Sequence, residues 1–371
     1  MRWKTILIIL LLITTTPAHA DRVDDLVSGL MKEQQIPGAV VVTLQNGTII
    51  EQRAYGLANI EFSVPMKADD VFSIASITKL FTATAIFELV QDGKVRLDDK
   101  ITAIVPGLPE LWKDVTILNW LSHTSGLPDL YDGAHILPIA FTPVEAIQKL
   151  AEKPLEFKPG EKTRYNQTGF LLLRLVIEKV SRKPFEEFMT DRVFQPLGMK
   201  TARFADVRDV IPAKVPMYSR LGPDASRLEF GKQNEGRASP DDQKWIAPFY
   251  YPESVRAGAG LVMSALDLAK FDAALTANTL LNAHTLEMMW APMQLSNGKL
   301  GGYTAGWQHW GHHVPRIVGH AGGSGVEYLR MKDGHYSVIV FTNCPEAVVH
   351  LLTTAIFRLY MKEALIAGLD R

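Results

Sequence analysis

Strand-like segments lie near both ends of the chain, and a long helical stretch separates them. Near the start, Ala39 to Leu44 and Thr48 to Ala54 flank Asn46-Gly47, a dipeptide typical of a two-residue hairpin turn. Near the other end come four strand-like runs: Tyr303 to Trp310, Arg316 to Ala321, Val326 to Met331 and His335 to Thr342. The links between these runs are short, and Asp333-Gly334 is a turn signal between the last two, so antiparallel pairing is expected. The sequence therefore predicts one largely antiparallel sheet assembled from both chain ends.

The middle of the chain, residues 72–245, has mainly helical periodicity. Its predicted helices are Phe72 to Gln91, Thr142 to Lys153, Gly169 to Ser181 and Phe185 to Phe194. A polar loop over residues 218–255 ends in Trp245 and Phe249-Tyr250-Tyr251, aromatic residues that form either a pocket wall or satellite core.

Three further helices are predicted outside this middle stretch. One opens with Val23, Leu26, Val27 and Leu30, one begins near Ser264 with a capping box to Asp267, and one runs from Ala347 to Ala364. The predicted fold class is α/β of the α+β type: an antiparallel sheet flanked by helices, plus an inserted, mainly helical subdomain.

The first twenty residues are typical of a secretory signal peptide. Arg2 and Lys4 form a basic n-region, Ile6 to Ile13 an apolar run, and Ala18-His19-Ala20 a cleavage site. We expect cleavage after Ala20 and export to a periplasm or out of the cell. Because no later apolar stretch is long enough to span a bilayer, no stable membrane insertion is expected after cleavage.

The remaining residues, 21–371, are predicted to form a single catalytic domain. Residues 21–71 and 246–371 would form its α/β part, and residues 72–245 its mainly helical part. The 39 Lys and Arg residues balance 40 Asp and Glu residues, so the basic surplus of a nucleic-acid-binding protein is absent. The 47% of hydrophobic residues can bury a core without disulfides.

Neither the cysteine nor the histidines form an evident reactive centre on their own. Cys344 is the only cysteine, so no intramolecular disulfide can form, and we interpret it as a packing residue. His309, His312 and His313 cluster, but a turn-flanked histidine pair is more often solvated than metal-bound. His123 is interpreted as a loop-fixing residue, and no metal site is predicted.

Ser76 and Lys79 are the first residues whose spacing indicates chemistry. Three positions apart on an apolar helix, their side chains share one face. Burial lowers the pKa of a lysine, and a desolvated lysine beside a hydroxyl can turn a serine into a nucleophile. Ser-x-x-Lys alone is a weak signal, because a helix start with a snorkelling lysine has the same pattern.

Further motifs lie downstream in a fixed order. They are Leu121 to Pro128 (LSHTSGLP), Phe157 to Gly160 (FKPG), Tyr165 to Phe170 (YNQTGF), Phe194 to Met199 (FQPLGM), Ala257 to Leu261 (AGAGL) and Gly319 to Gly323 (GHAGG). With Ser76 and Lys79, they resemble the serine hydrolases related to class C β-lactamases and D-alanyl-D-alanine carboxypeptidases. The resemblance covers nearly the whole chain after residue 20.

The resemblance implies a role for each matching residue. Ser76 is the acylated nucleophile, and Lys79 and Tyr165 form the acid/base pair, with the general base left open between them. The backbone N–H groups of Ser76 and Gly323 bind the oxyanion. The residues expected to bind substrate are Gln167, His320 and Gly322. No metal or cofactor is implied, and the expected partner is a small-molecule or short-peptide substrate; the oligomeric state is not predicted.

Two motifs depart from the family pattern. The usual Tyr-x-Asn is Tyr165-Asn166-Gln167, which we expect to loosen the positioning of the lysine. The Lys-Thr-Gly common in class C β-lactamases is His320-Ala321-Gly322 and resembles the variant in D-specific peptidases and some esterases. The ammonium and hydroxyl that grip a substrate carboxylate are therefore absent.

These departures shape the functional expectation. The sequence predicts an exported serine hydrolase that cleaves an ester or a D-amino-acid-containing amide through an acyl-enzyme on Ser76. One alternative is a β-lactamase or penicillin-binding D-Ala-D-Ala carboxypeptidase. Another is a non-catalytic binding protein on the same fold, an interpretation that Gln167 favours.

Overall fold

Among the described residues, seven strands form one antiparallel sheet that joins the two ends of the chain. The structure is a computed structural model, and it describes residues 17–130, 142–205, 209–219, 245–246, 251–310 and 316–360. Within those ranges the strands are β1 (Gly38–Gln45), β2 (Thr48–Asn59), β3 (Val64–Pro65), β4 (Phe72–Ser73), β5 (Arg203–Phe204), β6 (Tyr218–Ser219), β7 (Trp245–Ile246), β8 (Leu261–Met263), β9 (Gln308–Trp310), β10 (Ile317–Gly322), β11 (Val326–Met331) and β12 (Tyr336–Thr342).

Helices lie on both faces of this sheet. Within the same ranges they are α1 (Pro17–Glu33), α2 (Thr78–Gln91), α3 (Ile101–Ile104), α4 (Ile117–Leu121), α5 (Pro143–Leu150), α6 (Thr168–Ser181), α7 (Phe185–Met189), α8 (Arg256–Ala259), α9 (Ala265–Thr276), α10 (Ala283–Met289) and α11 (Val349–Tyr360). Every helix in the part of the chain that the structure describes is too short or too polar to cross a lipid bilayer. The predicted signal-peptide cleavage site falls within α1, and cleavage stays a prediction.

The order of strands in the large sheet is β3-β2-β1-β12-β11-β10-β9. At its centre β1 pairs with β12, so that Ala39 lies opposite Thr342. The predicted hairpin between β1 and β2 is confirmed, and Asn46 and Gly47 both have positive φ, 51° and 74°, as a type I′ turn requires. The predicted antiparallel sheet from both chain ends is therefore confirmed, whereas the division into two parts of one domain stays a prediction.

Each face of the sheet buries its own hydrophobic cluster. Helices α1 and α11 cover one face, where Val27 and Ile356 pack against Val41 and Leu329. The larger cluster lies on the other face and extends through α2, α6 and α9 into the helical part of the chain. Tyr251 belongs to this larger cluster, so for that residue the core interpretation is correct. Phe249 and Tyr250, and the side chain of Trp245, lie outside the described residues.

The first predicted helix of the middle stretch begins later than expected. The periodicity predicts one helix over Phe72 to Gln91, but β4 occupies Phe72–Ser73, a 3₁₀ turn occupies Ala75–Ile77, and α2 begins at Thr78. The reason is tertiary, because β4 pairs with β8, which also pairs with β5. Ala75 has a left-handed φ of 43°, which no right-handed helix accommodates. Ser76 therefore lies in a turn just before the helix.

Other predicted boundaries are corrected by backbone geometry. Of the predicted strand Tyr303 to Trp310, only β9 is a strand. Gly306 turns the chain with a φ of 85°, and Tyr303 forms an isolated bridge to Gln308. The predicted helix Phe185 to Phe194 changes after Met189 into a π turn. The last helix is described only as far as Tyr360.

The capping box predicted at Ser264 is only half present. The Ser264 hydroxyl accepts the Asp267 N–H at 3.2 Å, as an N-cap does. The Asp267 carboxylate does not complete the box, because it accepts hydrogen bonds from the Thr201 N–H at 2.6 Å and from Lys270 Nζ at 2.6 Å.

A buried polar network joins α9 to the large sheet. Asp272 Oδ1 accepts hydrogen bonds from Arg330 Nη1 at 3.1 Å, from Ser337 Oγ at 2.7 Å and from the Tyr328 hydroxyl. Arg330 also donates to Thr276 Oγ1 at 3.3 Å. Arg330 and Asp272 are almost completely excluded from solvent, so each charge depends on the other.

We expect Asp272→Ala to lower the free energy of unfolding by about 3–5 kcal/mol, because it leaves the Arg330 guanidinium buried without its carboxylate. Urea unfolding followed by circular dichroism measures this loss. Asp114→Ala is the matched control, since Asp114 pairs with Lys100 on the surface and its side chain is 67% exposed. Equal stabilities of the two variants would contradict the prediction.

Candidate active site

Ser76 lies in the 3₁₀ turn that connects β4 to α2. The turn is held from outside the helix, since the Ile74 N–H donates to the Leu261 carbonyl at 3.1 Å and the Leu261 N–H donates to Thr78 Oγ1 at 3.2 Å. Ser76 itself is buried. Together with the left-handed backbone of Ala75, these contacts fix the direction in which the Ser76 hydroxyl emerges.

The Lys79 amine is completely buried and has three oxygen neighbours. Its Nζ donates to Gln167 Oε1 at 2.8 Å and to the Gly258 carbonyl at 2.8 Å, and it lies 3.5 Å from Ser76 Oγ. A neutral amine has two N–H groups and one lone pair. Because the two short contacts use both N–H groups, the lone pair is left for the proton of Ser76.

Burial lowers the pKa of Lys79 to about 7, and the negative charge of Asp129 opposes this effect. The rings of Tyr165 and Phe170 pack against the amine, with centroids 4.8 Å and 5.1 Å from Nζ. A pKa near 7 means that the neutral and charged forms of Lys79 are both well populated at physiological pH.

Tyr165 completes the group around the serine. Its hydroxyl donates to Ser76 Oγ at 2.7 Å. Burial raises the pKa of Tyr165 well above 10, and Tyr303 and the charge of Asp129 act in the same direction, whereas the contact with Ser76 opposes them. The phenol therefore keeps its proton at neutral pH and can donate it. The structure thus brings together Ser76, Lys79 and Tyr165, which the sequence predicted as a set.

The loop that carries Tyr165 is fixed by buried side chains. The Asn166 N–H donates to His123 Nδ1 at 3.1 Å, and burial lowers the pKa of His123 well below 6.5. This contact agrees with the loop-fixing interpretation of His123. The expectation that Gln167 loosens the lysine is wrong in geometry, because the longer side chain reaches Lys79 Nζ at a normal hydrogen-bond length.

His320 lies on β10 and is buried beside two tyrosines. The ring centroids of Tyr165 and Tyr303 are 5.9 Å and 6.0 Å from that of His320. Its Nδ1 donates to the Ala321 carbonyl at 2.6 Å, and burial lowers its pKa to about 3, with Lys79 acting in the same direction. His320 is therefore a neutral imidazole at physiological pH and presents no positive charge.

The end of β10 packs against Ser73 and Ile74, the two residues that precede the 3₁₀ turn of Ser76. A Cβ at Gly322 would lie 2.5 Å from the Ile74 carbonyl oxygen, and the Ser324 hydroxyl donates to the Ser73 carbonyl at 2.6 Å. Gly323 lies between these two contacts and is held beside the turn. The oxyanion site built from the N–H groups of Ser76 and Gly323 stays a prediction.

Cys344 and His309 make their contacts with residues other than Ser76, Lys79 and Tyr165. Cys344 is fully buried, in accord with a packing role, and its Sγ donates to Glu346 Oε2 at 3.3 Å. His309 Nε2 donates to the Gly301 carbonyl at 2.7 Å. His312 and His313 lie outside the described residues.

The motifs, their order and this geometry agree with comparisons to known proteins. The family model described as "Beta-lactamase" matches residues 23–359. The chain belongs to the Beta-lactamase family. The relatives of this chain include penicillin-binding proteins and an esterase, and the resemblance to serine hydrolases that the motifs indicate is confirmed.

Two relatives and one solved structure show how far the likeness extends. Esterase EstB of Burkholderia gladioli is 30% identical over 285 residues, which are 70% of this chain and 70% of that protein. A penicillin-binding protein of Bacillus subtilis is 30% identical over 307 residues, and the match spans 79% of this chain and 64% of that protein. The structure of a D-stereospecific amidohydrolase from Streptomyces sp. shares the fold, with a TM-score of 0.74, 24% identity, and coverage of 92% of this chain and 99% of that chain.

Three residues of the site escaped sequence reasoning. The Gly258 carbonyl binds Lys79, the Tyr303 ring lies 4.5 Å from that of His123, and the Asp129 carboxylate acts on Lys79. Gly258 lies within the motif Ala257 to Leu261, and Asp129 directly follows the motif Leu121 to Pro128. The motifs could therefore have indicated both positions as site residues. Only the fold shows that a backbone carbonyl faces the lysine.

We expect Gly258→Ala to reduce the rate of Ser76 labelling by a fluorophosphonate about 10–100-fold, with little loss of stability. The new methyl group would lie 2.6 Å from Gln167 Oε1 and 3.2 Å from Lys79 Nζ. Flexible side-chain ends can move away at low energetic cost, but the movement removes a hydrogen bond of the amine. Intact-protein mass spectrometry over time measures the rate.

The matched control for this substitution is Gly29→Ala, where a Cβ would meet no atom within 4 Å. It should label at the wild-type rate. Labelling of Gly258→Ala at that same rate would show that the position of Lys79 does not limit the reaction.

Proposed function

We propose that the protein is an exported serine hydrolase that forms an acyl-enzyme on Ser76 and cleaves an ester or a D-amino-acid-containing amide. The observation that carries the proposal is the position of Ser76 Oγ, 2.7 Å from the Tyr165 hydroxyl and 3.5 Å from Lys79 Nζ. A hydroxyl placed between a buried amine and a phenolic donor is equipped for nucleophilic catalysis. The substrate is a small molecule or a short peptide.

Lys79 is the general base in the proposed acylation. Its amine is partly neutral near pH 7, whereas Tyr165 keeps its proton and cannot accept another. Lys79 takes the proton of Ser76 as Oγ forms its bond to the substrate carbonyl carbon. The carbonyl oxygen becomes an oxyanion beside the N–H groups of Ser76 and Gly323.

Tyr165 is the proton donor to the leaving group. As the tetrahedral intermediate collapses, the bond from carbon to the leaving oxygen or nitrogen breaks, and the Tyr165 proton passes to that atom. The Lys79 ammonium lies beside the Tyr165 ring. It gives its proton to the Tyr165 phenolate, which restores both the phenol and the neutral amine. Water then attacks the ester on Ser76, and the same groups return the proton to Oγ.

The absence of a positive charge at His320 supports substrates that lack a carboxylate. His320 occupies the position of the lysine in the Lys-Thr-Gly motif, and its imidazole is neutral. Ala321 has no side-chain hydrogen-bonding group where the threonine would stand. Both groups that would pair with the carboxylate of a β-lactam or of a terminal D-alanine are missing, and EstB supports an esterase within the family.

The alternative of a non-catalytic binding protein loses its best argument. That argument was the exchange of the usual asparagine for Gln167, and the Gln167 carboxamide makes the contact with Lys79 that a catalytic site needs. Ser76, Lys79 and Tyr165 are also in mutual contact.

We expect p-nitrophenyl acetate to acetylate Ser76 and penicillin G to leave the protein unmodified on the same time scale. The ester has no carboxylate. Penicillin G has one, and neither His320 nor Ala321 supplies a group that would pair with it. Intact-protein mass after incubation with each compound measures the result, with Ser76→Ala as the control that should gain no mass.

Two outcomes would change the proposal. A stable penicillin adduct on Ser76 would make the penicillin-binding interpretation the leading one. Failure of every ester, amide and fluorophosphonate probe to modify folded wild-type protein would favour the binding protein.

The pH dependence follows from Lys79. Because its pKa is lowered to about 7, the amine is protonated and inactive as a base at lower pH and becomes neutral as the pH rises through 7. We expect kcat/KM for an uncharged ester to fall about tenfold per pH unit below pH 6 and to level off above pH 8. Initial rates from pH 5 to 9, corrected with Ser76→Ala, test this; a flat profile would exclude Lys79 as the base.

Export rests on the N-terminal segment. The basic residues Arg2 and Lys4, the apolar run and Ala18-His19-Ala20 support a cleaved signal peptide. Expression of the full chain in a bacterial host should yield a mature protein that begins at Asp21 outside the cytoplasm. Fractionation and N-terminal mass analysis test this, with Ala20→Asp as a variant that should block cleavage.

A further inference from the structure

Among the described residues, four hydrogen bonds join residues 127–130 to the motif that begins at Tyr165. Asn166 Nδ2 donates to the Leu127 carbonyl at 2.8 Å, and Thr168 Oγ1 donates to the Pro128 carbonyl at 2.9 Å. The Leu130 N–H donates to Thr168 Oγ1 at 3.0 Å. The fourth bond runs from the Gln167 N–H to Asp129 Oδ1, at 3.0 Å.

This fourth bond differs from the others because its acceptor is a carboxylate. A backbone N–H bound to an ionised acceptor is held more firmly than one bound to a neutral carbonyl. The side chain of the same residue binds the lysine, because Gln167 Oε1 accepts a hydrogen bond from Lys79 Nζ at 2.8 Å. Asp129 is thus linked through Gln167 to Lys79 by two hydrogen bonds, and Lys79 Nζ lies 3.5 Å from Ser76 Oγ.

We propose that Asp129 is a positioning residue for the reaction of Ser76: its carboxylate fixes Gln167, and Gln167 holds the Lys79 amine in line with the Ser76 hydroxyl. The inference rests on the proposed function and adds a residue outside the set of Ser76, Lys79 and Tyr165. Asp129 also places a negative charge near Lys79. Ser76, Lys79 and Tyr165 themselves supply no such charge.

The charge of Asp129 acts on Lys79 as well as on Gln167. The groups that face the amine from the elements packed around it are mostly neutral: the carboxamide of Gln167, the Gly258 carbonyl, the phenol of Tyr165, and the imidazoles of His123 and His320. Asp129 is the carboxylate that raises the pKa of Lys79 against the effect of burial. Its charge stabilises the ammonium that forms when Lys79 takes the proton of Ser76.

The two effects of Asp129 can be separated by substitution. Asp129→Asn keeps an oxygen that can accept the Gln167 N–H but removes the charge, whereas Asp129→Ala removes both. Loss of the charge lowers the pKa of Lys79 further, so the neutral amine persists to lower pH but is a weaker base. A purely structural role would change the rate without moving its pH dependence.

The experiment measures the rate of Ser76 labelling by a fluorophosphonate from pH 5 to 9. We expect the midpoint of the Asp129→Asn profile to lie about 0.5–1 pH unit below that of the wild type, with a plateau about 3–10-fold lower. Asp129→Ala should fall about 100-fold, because Gln167 is also released. Asp98→Asn is the matched control, since Asp98 is 70% exposed and pairs with Arg96 on the surface.

The outcomes distinguish the inference from the proposed function. If wild-type Ser76 is not labelled while the protein is folded, the proposed function fails, and the inference fails with it. If the wild type is labelled but Asp129→Asn has the wild-type midpoint and plateau, only the inference is overturned. A loss of rate with an unchanged midpoint in both variants would reduce Asp129 to a structural role and overturn the inference too. Thermal unfolding of each variant shows which losses come from misfolding.

Discussion

Burial of the Lys79 amine is the constraint on which the rest of the site depends. An ammonium in such surroundings is expensive to keep charged, and the protein meets this with two oxygen acceptors that come from distant parts of the chain. Gln167 reaches the amine from the start of α6, and Gly258 from α8. The packing of α2 against these helices therefore also determines the state of the base, and a substitution that moves either helix acts on the chemistry.

The electrostatic division between Lys79 and Tyr165 follows from the same burial. Removal from water disfavours the charged form of each group, so the lysine tends to lose its proton and the tyrosine to keep it. Two neighbouring residues in one apolar environment are thus driven into opposite roles, one as acceptor and the other as donor. His320 is neutralised by the same cause, and with Tyr165 and Tyr303 it forms an uncharged aromatic group.

Much of this organisation could be predicted from the sequence, and the parts that could not are tertiary. Alternation and turn residues located the sheet and the Asn46-Gly47 hairpin, and the motifs identified Ser76, Lys79 and Tyr165 as a set. The strand at Phe72–Ser73 was missed because only its pairing with β8 makes it a strand. The reach of Gln167 was misjudged because side-chain length says nothing about where the partner lies. Burial of His320 and the carbonyl of Gly258 become visible only once the chain is folded.

Residues far away in the chain hold the Ser76 turn in place, and this has a consequence for folding kinetics. Leu261 and Ser324 fasten the turn, and the sheet behind it is joined through the contact of Gly38 with Asn343, 305 positions apart. Contacts of such high sequence separation form late, because the closure entropy of a long loop must be overcome before they stabilise anything. Helix α2 can form from local contacts, but its nucleophile acquires its final orientation only when the last strands have paired. During refolding, the reactivity of Ser76 should therefore recover after the helical signal, and a chain that lacks its C-terminal strands has a serine but no working nucleophile.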